Sequence, residues 1–306
     1  MGPALSRFYL FDRILFGYCL FMVGLLLAVG RPLGIYRDEL LFYSAMALLV
    51  LVIAGRLDPA RSRFSHALRL LYPVAILVPF YRETGGTMFL FFDHFLDAHL
   101  IAFETAVFGQ EPTLFIDRHL LHPVLTEAFM FCYFCYYLVI PVFMIAGYLR
   151  GRFEVVKSAL AAVLLTFAVS YVVFFLFPIE GPRWRLTGQY LHPVVTGYVF
   201  TDLVGLTQQY GSVRGGCFPS THFAVTFVIL LFTARYFRRG LWLMAPLTVG
   251  LGIGTFWGRY HYVSDVAAGG LIGLAVTLLL WRAAPADRAG QMTEVRKLEA
   301  QTPHAS

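Results

Sequence analysis

The sequence predicts an all-α protein, a polytopic bundle of about eight transmembrane helices. Hydrophobic residues make up 58% of its 306 positions and charged residues only 14%, a balance that no ordinary soluble domain shows. The apolar residues are gathered into runs of the roughly 20 residues that a helix needs to cross a hydrocarbon core, each bounded by charge or turn residues. The basic residues are distributed unevenly between the two sets of connecting segments, as membrane topology demands.

The first run, Ile14 to Val29, follows Arg7 and Arg13, and with no small-residue cleavage site after it reads as a retained anchor. The second is Leu40 to Ala54. The third, Ala67 to Tyr81, contains Pro73 and Pro79 and is short between arginines, so it is either a span or a re-entrant or interfacial piece. Five further runs follow: Ala128 to Leu149, Ser158 to Ile179, Phe218 to Ala234, Leu241 to Trp257 and Tyr262 to Trp281. The chain thus divides into N-terminal transmembrane helices (1–81), an extracytoplasmic interfacial segment (82–126), a catalytic transmembrane core (127–282) and a disordered cytoplasmic tail (283–306).

Eight spans with both termini in the cytoplasm place twice as many of the 24 Lys and Arg residues in inner segments as in outer ones. The net charge of +6 is therefore mostly a topology signal, and no nucleic-acid partner is expected. Cys132-x-x-Cys135 lies inside a span with no second pair to complete a zinc site, and reads as packing. Gly250, Gly252 and Gly254 suggest close helix packing, since a phosphate-cradling loop would follow a strand.

Two polar patches interrupt the oily second half, Cys217-Phe218-Pro219-Ser220-Thr221-His222 and Arg259-Tyr260-His261-Tyr262-Val263-Ser264-Asp265, and this topology puts both on the outer face. Ionisable residues at the edges of spans are costly unless they meet at a watered site. Pro219 to His222 reads as a helix start, capped by Ser220 or Thr221, whose free N–H groups suit a phosphate. His222 is either the proton donor to a leaving oxygen or a histidine in a polar pocket behind an ordinary cap. His261 and Asp265 share a helical face, either as a relay or as a plain ion pair. In a relay, Asp265 fixes one ring nitrogen of His261 and the other attacks phosphorus. Arg183, just after the fifth run, is either a phosphate clamp or an interfacial arginine beside Trp184, with Arg214 and Arg259 in reserve. Together these residues make a complete set for phosphoryl transfer without a metal or organic cofactor.

The residues resemble the type-2 phosphatidic acid phosphatase superfamily, and more closely its inositol phosphorylceramide synthase-like branch. Three signatures carry the resemblance in order: Gly181-Pro182-Arg183-Trp184, Pro219-Ser220-Thr221-His222, and His261 with Asp265, Val266 and Gly269. It implies a six-helix phosphatase-like core, with His261 as nucleophile, Asp265 as its orienter, His222 as acid and base, and Arg183 and Ser220 as phosphate ligands, joined by Thr221 and Arg259 as candidate substrate contacts. The chain departs from the broad family where Leu176 stands for a Lys, Trp184 for a Pro, Gly254 for an Arg and Thr221 for a Gly. These changes favour the synthase-like branch.

The outer segment carries Asp93, His94, Asp97, His99 and Glu104 on what reads as an amphipathic interfacial helix. Asp93 and Asp97 would share a face, as a metal or sugar-hydroxyl site or, more simply, as a solvated polar face. The expectation is a lipid phosphotransferase taking a lipid phosphate or phospholipid and an alcohol acceptor, with water as acceptor in the phosphatase alternative. A bacterial cytoplasmic membrane is the expected location. The rival is an anion or lipid transporter, which would place its ionisable groups nearer the midplane.

Overall fold

The computed structural model describes residues 8–29 and 34–283. Twelve α-helices appear among them: α1 (Leu10–Ala28), α2 (Arg37–Arg56), α3 (Arg63–Thr87), α4 (Asp97–Phe108), α5 (Pro112–His119), α6 (Pro123–Leu149), α7 (Phe153–Leu176), α8 (Pro182–Arg185), α9 (Val199–Gly211), α10 (Thr221–Tyr236), α11 (Leu241–Trp257) and α12 (Val263–Ala283). The tail expected to be disordered lies outside the described residues apart from its first position, Ala283.

Seven helices are long and apolar enough to cross a membrane, namely α1, α2, α3, α6, α7, α11 and α12. The third run is one of them, a continuous 25-residue helix despite Pro73 and Pro79. The sixth expected span is the exception. Its helix, α10, has 16 residues, and at 1.5 Å per residue it extends only about 24 Å, short of a typical hydrocarbon core of roughly 30 Å.

The contacts divide the chain into two compact units, one built on Pro141–Leu165 with the helices before Pro79 and after Val276, the other on Phe80–Ile140 and Thr166–Ala275. In the first, Asp12 of α1 is fully buried against Arg69 of α3. Its Oδ1 accepts from Arg69 Nη1 at 3.0 Å and from the Tyr72 hydroxyl at 2.6 Å, and its Oδ2 accepts from Arg69 Nη2 and from the Tyr9 N–H. The Tyr9 ring covers the guanidinium with its centroid 4.4 Å away.

The second unit holds every residue of the two polar patches. Its helices approach closely where glycines allow it. A Cβ on Gly269 would sit 2.5 Å from the carbonyl oxygen of Ser220, and one on Gly254 would sit 2.7 Å from that of Phe129. The glycines of α11 therefore do serve packing, and Cys132 packs against Gly250.

The segment expected to be interfacial folds within this second unit. On α4 the carboxylates point inward: Asp97 and Glu104 are buried while Phe103, Val107 and Phe108 are more than half exposed. The solvated polar face expected there is thus inverted. Asp93 precedes the helix, is exposed and pairs with His94, so the two aspartates share no helical face.

Candidate active site

Four chain segments meet around the histidines. Residues 178–181 run alongside 215–217 through a parallel bridge between Ile179 and Gly216, and Cys217 N–H donates to Ile179 O at 3.3 Å. Leu96 N–H donates to Pro178 O at 2.8 Å, and Arg183 N–H to Arg259 O at 2.9 Å. Ser220 N–H donates to Asp265 O at 2.9 Å, which ties the first polar patch to the second. Leu96, Ile179, Cys217 and Tyr262 form the buried apolar cluster beneath this junction.

Ser220 caps α10, its hydroxyl accepting from Phe223 N–H, and Thr221 is the first helical residue. The proline therefore stands one place ahead of the cap. His222 projects from the first turn with its ring 5.7 Å, centroid to centroid, from that of His261 in an edge-on arrangement. Gln208 Nε2 donates to the Tyr133 hydroxyl at 2.7 Å, which leaves the tyrosine proton to point at His222 Nε2, 3.3 Å away. On this assignment, made from the hydrogen-bond pattern, Nδ1 of His222 carries the ring proton, and it is buried without a partner.

Asp265 lies at the third position of α12, where its Oδ2 accepts from the Tyr262 N–H at 2.8 Å, half of a capping box. The same oxygen accepts from the Cys217 thiol at 2.9 Å and lies 3.3 Å from His261 Nδ1. Nδ1 is nearer to the Cys217 carbonyl, at 2.8 Å. A carbonyl accepts only, so Nδ1 bears the proton and Nε2 keeps the lone pair. Burial pushes the His261 imidazole down to about 4, so it is neutral at pH 7. The backbone of Cys217 thus shares with Asp265 the task of orienting the ring, and its thiol is pushed well above the usual range by burial and the adjacent carboxylate. Cys217 Sγ, His261 Nδ1 and the Asp265 carboxylate lie within 4.8 Å of one another, near enough to share a cation, and here they are joined by hydrogen bonds.

Both histidines line a cleft together with Arg183, Trp184, Glu180, Tyr133 and Tyr260. Arg183 stacks its guanidinium on Trp184 at 4.6 Å and reaches over Tyr260 at 5.4 Å. The acidic lining group is balanced, since Glu180 Oε1 accepts from Arg214 Nε at 2.6 Å. Ser220, Thr221, Asp265 and Arg259 are not on the lining. For Arg259 there is a direct reason: the backbone at this residue is left-handed (φ 64°), and the side chain leaves the cleft. Its Nη2 donates at 2.7 Å to both Asp117 Oδ1 and His192 O, with the guanidinium 3.8 Å from the Tyr190 ring centroid. Arg259 as a substrate contact is therefore corrected to a buried structural ion pair.

Sequence reasoning passed over Tyr133, Gln208 and the Cys217 carbonyl. It treated Asp97 as part of a metal or sugar-hydroxyl site or as a solvated residue, yet this carboxylate is 1% exposed. Its Oδ2 accepts from Glu180 N–H at 2.8 Å, and its Oδ1 from Gly181 N–H and the Tyr262 hydroxyl, each at 2.9 Å. Surrounded by donor hydrogens, it is not presented to a cation.

Fold and site together define an integral membrane protein, a polytopic helical bundle with a two-histidine cleft. Residues 98–279 match the family model of the PAP2 superfamily, more than half of the chain, and the protein belongs to that superfamily. The bacitracin transport permease protein BcrC of Bacillus licheniformis is 38% identical to it over 72 residues, which are 22% of this chain and 34% of that relative. The chain spans about a third of the length of this relative. No solved structure matches it.

Proposed function

We propose that this protein is a membrane-embedded phosphotransferase that takes a phosphoryl-type group from a lipid phosphoester through a phosphohistidine on His261. The observation that carries this reading is the pair of histidines facing each other across a cleft that also holds Arg183. His261 Nε2 attacks phosphorus as the P–O bond to the leaving group breaks, and His222, which takes up a proton at Nε2 with the anionic substrate, gives that proton to the departing oxygen. An acceptor hydroxyl then returns a proton to His222 as its oxygen displaces the histidine from phosphorus. Arg183 neutralises the equatorial oxygens in both steps. Asp265 and the Cys217 carbonyl hold the ring throughout.

An alcohol acceptor of the inositol type, as in the synthase-like branch, is favoured by the hydroxyl and amide groups of Tyr81, Tyr133, Gln208, Ser212 and Tyr260 on the same lining. Ser220 and Thr221 belong to this reading as the helix start behind the phosphate. The distribution of Lys and Arg supports a cleft on the extracytoplasmic side of a bacterial membrane. With water as acceptor the same residues make a lipid phosphate phosphatase. The printed name of the Bacillus relative raises a second reading, transport, although the ionisable residues here lie at helix ends and not on broken helices near a midplane.

The test is to incubate the purified protein in vesicles with lipid phosphates and phosphodiesters, with and without alcohol acceptors, beside His261→Ala. A new phospholipid is the expected product, and release of free phosphate alone would turn the reading to hydrolysis. Solute flux that survives His261→Ala in the absence of any turnover would replace catalysis with transport.

A further inference from the structure

The residue that the family match leaves just outside its first position is the one that joins two of the three signatures. Asp97 opens α4 directly before residue 98, where the match begins. Its three donors come from the chain 83, 84 and 165 positions away. Two of them, the Glu180 and Gly181 N–H groups, belong to the turn that leads into α8 and Arg183. The third, the Tyr262 hydroxyl, belongs to the residue after His261.

That turn needs holding. Gly181 has φ 103°, a conformation that side-chain-bearing residues rarely adopt, and a Cβ there would lie 3.1 Å from Cys217 Sγ. A carboxylate that accepts two consecutive N–H groups selects this backbone shape, and a buried carboxylate does so strongly because it depends on such donors to offset its lost hydration. One turn pair further along α4, Glu104 Oε1 accepts from Ser264 N–H and Ser264 Oγ, both at 2.6 Å, so the same helix face grips the start of α12 next to Asp265.

We propose that Asp97 is a positioning residue, which sets the loop of Arg183 against the segment of His261 so that guanidinium and imidazole address the same phosphorus. The inference rests on the phosphotransferase reading. Asp97 touches neither substrate nor the reacting atoms, and its effect passes through Arg183.

The test uses the full chain in detergent and inorganic phosphate as the probe, with the dissociation constant measured by calorimetry for wild type, Asp97→Asn, Arg183→Ala and the double variant. Losing one charge-assisted hydrogen bond and disturbing the turn should weaken phosphate binding about tenfold in Asp97→Asn. Because the effect passes through Arg183, the double variant should bind no worse than Arg183→Ala alone. A purely structural Asp97 predicts instead that the two losses multiply, and that result overturns the proposal, as does wild-type affinity in Asp97→Asn or in Arg183→Ala. Should Asp97→Asn not elute as a folded species, Asp97→Glu, which keeps the charge and shifts the acceptor by one methylene, is measured in its place with the same expectations. A wild-type protein that binds no phosphate overturns this inference and the phosphotransferase reading together, whereas binding that depends on Arg183 and ignores Asp97 overturns the inference alone.

Discussion

In the unit built on α1 and the start of α3, the carboxylate of Asp12 spends both oxygens on Arg69, Tyr72 and the backbone of Tyr9. In the unit that holds the histidines, Asp265 Oδ1, Glu104 Oε2 and His222 Nδ1 are buried without a hydrogen-bond partner. Burial is comparable, since Asp12, Asp265 and Glu104 are each 0% exposed. A buried polar atom without a partner costs about 1–3 kcal/mol. The second place therefore carries a cost that Asp12 avoids, and it carries it around His222 and His261, the two histidines of the cleft. The first carboxylate is saturated by its neighbours, whereas the polar atoms around the histidines are incompletely bonded.

The comparison predicts that substitutions in the two places fail in different ways. His261→Ala should lower turnover by roughly 10³-fold or more with a smaller fall in the thermal unfolding midpoint, because it removes the proposed nucleophile and its bond to the Cys217 carbonyl while Asp265 keeps the bonds from Tyr262 and Cys217. Asp12→Ala should do the reverse: removing one partner of a buried pair costs about 3–5 kcal/mol, seen as a lowered unfolding midpoint, with turnover per folded molecule retained. Comparable midpoints for the two variants would break the distinction.

Acid offers the next largest effect. In the proposed mechanism the neutral form of His261 is the attacking one, and burial has pushed it down to about 4, so kcat/KM of the free protein should hold level through pH 6 and 5 and fall as pH approaches 4. A histidine in water would already be protonated below about 6.5. The sign for stability follows, since between those values the unfolded chain binds the extra proton, and His261 therefore makes the fold less stable as pH falls through that window. A fall in kcat/KM centred near 6.5 would show the ring to be solvated.

Tyr133→Phe should lower turnover about tenfold, the loss of one hydrogen bond to His222, and should shift the pH profile, which a packing role would leave in place. The smallest effect is expected from Asp12→Leu combined with Arg69→Met: an ion pair replaced whole by apolar residues of similar size is often close to neutral. Calorimetric unfolding checks this against Asp12→Ala, and a double variant as unstable as the single one would mean that the pair contributes more than mutual satisfaction.

The chemistry was legible where it was local. His261 and Asp265 stand four positions apart and do meet, although His261 lies two residues ahead of α12 and not on its first turn, and Ser220 announces its cap by residue type and position. Polar residues at the ends of apolar runs drew attention to His222 and Arg183. What the sequence did not reveal depends on distance along the chain or on the direction of a single residue. Asp97 meets donors far downstream, and α4 turns its carboxylates inward because backbone N–H groups await them there, so hydrophobic patterning pointed the helix the wrong way. Arg259 was misplaced for a similar reason, since neighbourhood to His261 in sequence says nothing of a left-handed backbone that throws the side chain toward Asp117. The start of α10 was placed three residues early, by counting Phe218, Pro219 and Ser220 as part of its apolar run, and its end two residues early.

The parallel contact between Ile179 and Gly216, together with the bond from Leu96 to Pro178, gives the cleft a floor made of backbone, stitched from three stretches that lie far apart in the chain. A domain trimmed to the boundaries of the family match would keep both histidines, Arg183 and Asp265, and would leave behind Leu96 and the Asp97 peg. Anyone grafting this site onto another bundle should therefore carry the two residues upstream of residue 98, since the transplant's borders are drawn by hydrogen bonds and not by the motif.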